Sequence, residues 1–128
     1  MNNDMTKYIS NDRFAAYTGI RLTKIDIGYA EAELELEEKH LNGVNIVQGG
    51  VYFTLADFAF AAASNSTGLV TVSINASISY FKPPKGKKLK AKATQVSSSR
   101  KLCNYVVDIF DEDDTLLAKF NGTGYIKG

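Results

Sequence analysis

The segment that most constrains this chain is Gly49 to Asn65, which reads Gly-Gly-Val-Tyr-Phe-Thr-Leu-Ala-Asp-Phe-Ala-Phe-Ala-Ala-Ala-Ser-Asn. Val51, Leu55, Phe58 and Ala62 fall on one helical stripe, and Tyr52, Ala56, Ala59 and Ala63 fill the adjoining one. A helix apolar nearly all round has to be covered on nearly all sides. Membrane burial is excluded, because no apolar run reaches the roughly 18 residues that a span requires. The rest of the chain must therefore wrap this helix.

What surrounds it reads mostly as strands. From Tyr29 to Glu37, Ala30, Ala32, Leu34 and Leu36 face one way, and Glu31, Glu33, Glu35 and Glu37 face the other, the period of a half-buried strand. Ile20 to Ile27 is expected to pair with it across a turn at Gly28. Before that, Ser10, Asn11 and Asp12 are candidate N-caps for a short helix carrying Phe14 and Tyr17 and ending at Gly19. Loop signals run from Glu38 to Asn45. Four strand-like segments follow the long helix: Leu69 to Phe81, Lys87 to Val96, Lys101 to Phe110 and Thr115 to Ile126. Pro83-Pro84-Lys85-Gly86 breaks the first pair and Asp111 to Asp114 turns the last. Gly122 and Gly124 are expected to weaken the final strand and mark a bulge. One antiparallel sheet around one buried helix, an α+β fold, satisfies every periodicity. At 128 residues the chain is expected to be a single domain, 1–128.

Fifteen basic and fourteen acidic residues leave a net charge of +1, which argues against a surface built to track nucleic acid. Cys103 is alone and suits a reducing compartment. Met1 to Ser10 is polar and lacks the apolar core of a signal peptide, so a soluble, cytoplasmic protein is expected.

Asp57 is the residue most in need of explanation. It sits mid-helix among Leu55, Ala56, Phe58, Ala59 and Phe60, where a carboxylate is costly unless paired or functional. Either it lies on a narrow solvent stripe with Thr54 and Ser64, or other groups converge on it. Ahead of it, Gly49-Gly50 opens the helix, where backbone N–H groups and the positive helix end favour a developing anion. A second cluster, Lys82, Lys85, Lys87, Lys88, Lys90, Lys92, Arg100 and Lys101, contains no acidic residue. It is either a solvated strand face or a landing site for phosphates. Without interleaved aromatics it is not a nucleic-acid surface. His40, the sole histidine, has no serine or cysteine motif beside it and reads as an exposed loop residue; with Glu37 and Glu38 it lacks the spacing of a metal site. Cys103 reads as a small strand residue.

Taken together, Leu41-Asn42-Gly43, Gln48-Gly49-Gly50, Leu55 to Ala61, Asn65-Ser66 and Ile78 to Pro83 resemble the hotdog-fold acyl-CoA thioesterases of the 4-hydroxybenzoyl-CoA thioesterase superfamily, and within them the phenylacetic acid degradation subfamily. The likeness runs over about residues 12 to 127. It implies a long central helix wrapped by a curved antiparallel sheet. It also implies hydrolysis of an aryl- or medium-chain acyl-CoA, with coenzyme A part of the substrate and no other cofactor or metal. By the same resemblance, Asp57 activates water or attacks the thioester, the Gly49 N–H polarises its carbonyl, Asn42 helps hold that carbonyl, and Ser73 orients water. Gln48 stands where the common motif has histidine; it can donate a hydrogen bond but cannot carry a proton. Gly50, Lys82, Lys88, Arg100 and Lys101 would bind the coenzyme A portion. The partner implied is a second copy, as a homodimer or a dimer of dimers. The alternative is a non-catalytic acyl-CoA-binding module. A hotdog dehydratase fits less well, since its histidine has no counterpart here.

Overall fold

The computed structural model describes residues 8–127. Most of the polar start at Met1–Ser10 lies outside them. Helix α1 (Arg13–Thr18) begins where Asp12 accepts a hydrogen bond from the Ala15 N–H at 2.9 Å and ends at Gly19 in the left-handed conformation. Strands β1 (Arg21–Asp26) and β2 (Tyr29–Glu35) pair antiparallel around Gly28, which has φ +71°. After α2 (Gly49–Ser64) come β3 (Thr71–Tyr80), β4 (Lys88–Ser98), β5 (Leu102–Phe110) and β6 (Leu116–Ile126). All six strands form one antiparallel sheet in the order β1-β2-β4-β5-β6-β3.

The alternation read in β2 sets which face meets the helix. Ala30, Ala32 and Leu34 are buried and lie opposite Ala93, Ala91 and Leu89 of β4, also buried. Four facing alanines make a shallow floor on which α2 rests, while Val107, Ile109 and Phe120 close over its flank. On the outer face the register places Glu31, Glu33 and Glu35 opposite Lys92, Lys90 and Lys88. Each such exposed pair contributes at most about 1 kcal/mol. A one-residue slip would nonetheless bury the whole ladder, so the pattern specifies register strongly.

Two expectations need correction. The bulge beside Gly124 is on the partner strand: the β3–β6 register shifts between Ser73, which faces Gly124, and Asn75, which faces Thr123, so the extra residue belongs to β3 and not to the final strand. Gly122 and Gly124 are small because the sheet is crowded there. A Cβ on Gly124 would sit 2.6 Å from Thr71 Cγ2 and 3.0 Å from Cys103 Sγ, and one on Gly122 would press on Phe120 and Phe60. The loop at Glu38–Asn45 contains a 3-10 turn, Glu38–His40, and His40 is only 2% exposed rather than a surface residue. Its Nδ1 accepts from the Glu37 N–H at 2.8 Å and its Nε2–H donates to the Thr18 carbonyl at 2.6 Å. The ring ties α1 to the segment leading into α2.

Candidate active site

The approach to α2 is a folded loop. Asn42 Oδ1 accepts from the Val44 and Ile46 N–H groups at 3.0 and 3.2 Å, and the Asn42 N–H donates to the Ile46 carbonyl at 2.7 Å. Asn42 is thus the hub of this loop, while its Nδ2 faces away from those bonds. Leu41 bridges Val47, and the Gln48 N–H donates to the His40 carbonyl at 2.9 Å. Gln48 is the N-cap: its Oε1 accepts from the Gly50 N–H at 2.6 Å. Gly50, expected to bind substrate, therefore has its N–H satisfied within the chain. The Gly49 N–H has no acceptor among the described residues. Its carbonyl accepts from the Tyr80 hydroxyl at 3.1 Å, which packs this end of β3 against the helix start.

Asp57 lies eight residues further along α2, roughly 12 Å up the axis at 1.5 Å per residue. It is half-buried on a stripe with Phe53, Thr54 and Ala61; Ser64, which the solvent-stripe reading included, is buried. Among the described residues no cation lies within ion-pair distance of it. Burial pushes its carboxyl above the ordinary range, and the Asp12 carboxylate adds to the push. A carboxylate raised toward neutrality and left without a partner is suited to take a proton.

The remaining expected residues do not converge within one chain. Lys82 shares a cleft of about 320 Å³ with Gly49, Tyr52, Tyr80 and Phe81 at the head of α2. Arg100 lies at the other end, in a recess of about 280 Å³ beside Ser64, and Lys101 stacks over the Tyr125 ring at 5.7 Å. The helix between them spans roughly 24 Å. Ser73 is exposed at the β3 irregularity, near the end of the strand where the Thr71 hydroxyl donates to the Ser64 carbonyl at 3.1 Å. Lys88 departs from expectation most clearly: it is on the outer face, 3.7 Å from Glu33 within the acid–base ladder. Its charge is already used there.

Tyr80 and Asp12 were not legible as site residues. Asp12 carries a visible capping signal, but its proximity to Asp57 depends on how α1 packs on α2. Tyr80 meets Gly49 across 31 residues of chain, which no local pattern reports. Among the described residues no group of three or more His, Cys, Asp or Glu could hold a metal ion, and no helix is long and apolar enough to cross a membrane.

A long helix wrapped by a six-stranded antiparallel sheet, with a glycine-opened helix start and a partnerless mid-helix carboxylate, defines a hotdog fold. The family model described as the thioesterase superfamily matches residues 44–118, more than half of the chain. The acyl-coenzyme A thioesterase PaaI of Escherichia coli is 32% identical over 116 residues, covering 90% of this chain and 83% of its own length. A variant of the phenylacetic acid degradation protein PaaI of Thermus thermophilus superposes with a TM-score of 0.85 at 32% identity, covering 90% of this chain and 99% of that one. A hypothetical thioesterase of Streptococcus pneumoniae, solved with coenzyme A, gives 0.88 at 27% identity, covering 96% and 97%. The chain belongs to the thioesterase superfamily, on its PaaI-like side, and is a thioester hydrolase.

Proposed function

We propose that the protein hydrolyses acyl-CoA thioesters at sites shared between two copies of the chain. The observation that carries this reading is the pairing of a partnerless, half-buried Asp57 with an open N–H at Gly49 on one helix. Asp57 takes a proton from water as its oxygen attacks the thioester carbon, or attacks that carbon itself. The Gly49 N–H stabilises the oxyanion. Collapse breaks the C–S bond and the proton taken by Asp57 passes to the sulfur, so coenzyme A leaves as its thiol with the acid as second product; in the nucleophilic route a water then cleaves the Asp57 acyl anhydride, releasing the acid and supplying that proton. Asn42 Nδ2 and Gln48 Nε2 are available to donate toward the same carbonyl, and Ser73 to orient water. No cofactor takes part.

Sharing follows from distance. An oxyanion donor and a base each have to reach within about 3 Å of the reacting centre, or act through one water. Gly49 and Asp57 of one helix are roughly 12 Å apart along its axis. Two antiparallel helices related by a twofold axis bring the start of one to the middle of the other. The same operation brings Arg100 and Lys101 of one copy toward Lys82 of its partner, a basic rim for the phosphates of coenzyme A. Supporting this, β3 is an edge strand with Val72 and Ile74 exposed at 41% and 57%. We read the assembly as a homodimer able to pair into a tetramer, in the cytoplasm, where the lone buried Cys103 would stay reduced.

Release of free thiol from a panel of aryl- and alkyl-acyl-CoA thioesters tests the reading. The wild type is expected to release it, and Asp57→Asn to lose about 10²–10⁴-fold in kcat. Binding without release would mark a non-catalytic acyl-CoA module, and full activity in a folded Asn variant would remove Asp57 from the chemistry.

A further inference from the structure

Next to the cleft at Gly49 lies a larger one of about 470 Å³, and the two share Ile46, Val47 and Pro83. The two clefts therefore adjoin, with these three residues as their common wall. The remaining apolar walls of the larger one are Leu36, Leu41 and Pro84, and no aromatic ring lines it. The smaller cleft, by contrast, is walled by Tyr52, Tyr80 and Phe81, with Tyr52 and Tyr80 packed edge to face at 5.6 Å.

The walls are held from several sides. The Leu41–Val47 bridge and the Asn42 hub fix one side. On the other, the Leu36 N–H donates to the Lys87 carbonyl at 2.6 Å, and the Lys85 N–H donates to Asp111 Oδ2 at 3.1 Å. The cleft is therefore a standing feature of the loops and is not made by side-chain rearrangement. Glu37, Glu38 and Lys87 line it as well but are exposed, so charge gathers where it opens to solvent.

We propose that this larger cleft holds the aliphatic tail of the acyl group, so that the favoured substrates are straight-chain acyl thioesters too long for the smaller cleft alone. The inference rests on the acyl-CoA reading above. The place of the larger cleft beside the one at Gly49 admits either group borne by the carbonyl carbon, the acyl chain or the sulfur with its pantetheine arm, and the walls choose between them. A pantetheine arm carries two amides that need hydrogen-bond partners; the polar side chains here, Glu37, Glu38, Asn45 and Lys87, are all exposed, whereas the more covered walls, Leu36, Val47 and Pro84, are apolar. An aryl or arylacetyl group fits the ring-lined smaller cleft and gains nothing from the larger one.

The test is a chain-length series from acetyl- to dodecanoyl-CoA, with phenylacetyl-CoA as the aryl control. Once the chain reaches the larger cleft, kcat/KM is expected to rise about fourfold per added methylene until the space is full. Leu41 lines only the larger cleft, so Leu41→Trp narrows it, and the decanoyl-to-acetyl ratio of kcat/KM should drop by about tenfold or more. Leu41→Ala, which widens it, should move the optimum to longer chains. A flat series in the wild type overturns the inference. So does a Trp variant that raises KM equally for every thioester, because the coenzyme would then be the occupant. The same chains as unreactive alkyl-CoA thioethers, measured by calorimetry, separate this inference from the catalytic one. If no thioester releases thiol, affinity that climbs with length still supports the cleft assignment, and length-independent affinity rejects it.

Discussion

Asp57 is the residue on which stability and activity pull in opposite directions. Burial raises its carboxyl above the ordinary value, so the folded state holds a proton more tightly than the unfolded chain does. Below the unfolded value the group is neutral in both states and costs nothing. As pH rises through the folded value it becomes a half-buried charge, and the fold loses stability. Asp57→Asn is therefore expected to be at least as stable as the wild type at neutral pH, with the difference closing as pH falls toward 3.8, the ordinary carboxylate value. Urea unfolding at several pH values checks this, and a less stable Asn variant at neutral pH would contradict it. Asp12 offers a cleaner probe. Asn caps helices as well as Asp, so Asp12→Asn keeps the bond to the Ala15 N–H while removing the charge that faces Asp57. The acid limb of kcat/KM is expected to move to lower pH; an unmoved limb would mean Asp57 is not the group being titrated.

Among the connecting elements, the turn after β5 shows how a charge can be built into a fold chiefly by backbone donors, with the charge of Lys85 adding less. Asp111 is 1% exposed, and its carboxylate accepts from the N–H groups of Asp113, Thr115 and Lys85 at 2.9, 3.1 and 3.1 Å. Desolvation alone would raise its carboxyl, but the three backbone donors outweigh it and hold the group below the ordinary range. Its contribution is thus present above the unfolded value and lost as pH falls through the lower, folded one. Asp111→Asn would put an amide donor in front of at least one of these donors. It should lower the urea midpoint at pH 7 without changing the slope, and it should reduce the acid sensitivity seen in the wild type. The strands themselves were legible because one face of β2, β4 and β5 is buried and the alternation shows it. The face-on ladder of Glu31, Glu33 and Glu35 with Lys92, Lys90 and Lys88 was visible only as two separate charge patterns. Which strand neighbours which is a property of the sheet order, and the pairing of Lys88 with Glu33 was hidden for that reason. His40 was misread similarly, since both ring nitrogens are satisfied by backbone groups supplied by the tertiary fold.

At the scale of the whole molecule, the candidate site is half-legible because, in the shared-site reading proposed above, half of it belongs to another copy. Asp57, Gly49 and Asn42 stand out in the sequence, yet one chain leaves the two ends of α2 apart. Complementation tests the shared site. Gly49 is at the first helical position without a positive φ, and Gln48 before it is extended at φ −67° and ψ 136°, so Gly49→Pro removes the N–H with little backbone conflict. A heterodimer of this variant with Asp57→Asn would have one site lacking both groups and one retaining both. Activity recovered in the isolated heterodimer is the expected result, and a folded, inactive heterodimer would place both groups in one chain's site. The two edges of the sheet carry a further consequence. Strand β1 carries Arg21, Lys24 and Asp26, whereas β3 has no charged residue. In the language of polymer chemistry the proposed assembly would make the subunit a monofunctional end group, with an uncharged edge free to pair with its own kind and a charged edge that is capped. If the proposed dimer pairs through β3, edge-to-edge growth would stop at two, and the exposed strand that in a bifunctional sheet would seed a fibre would here terminate the chain.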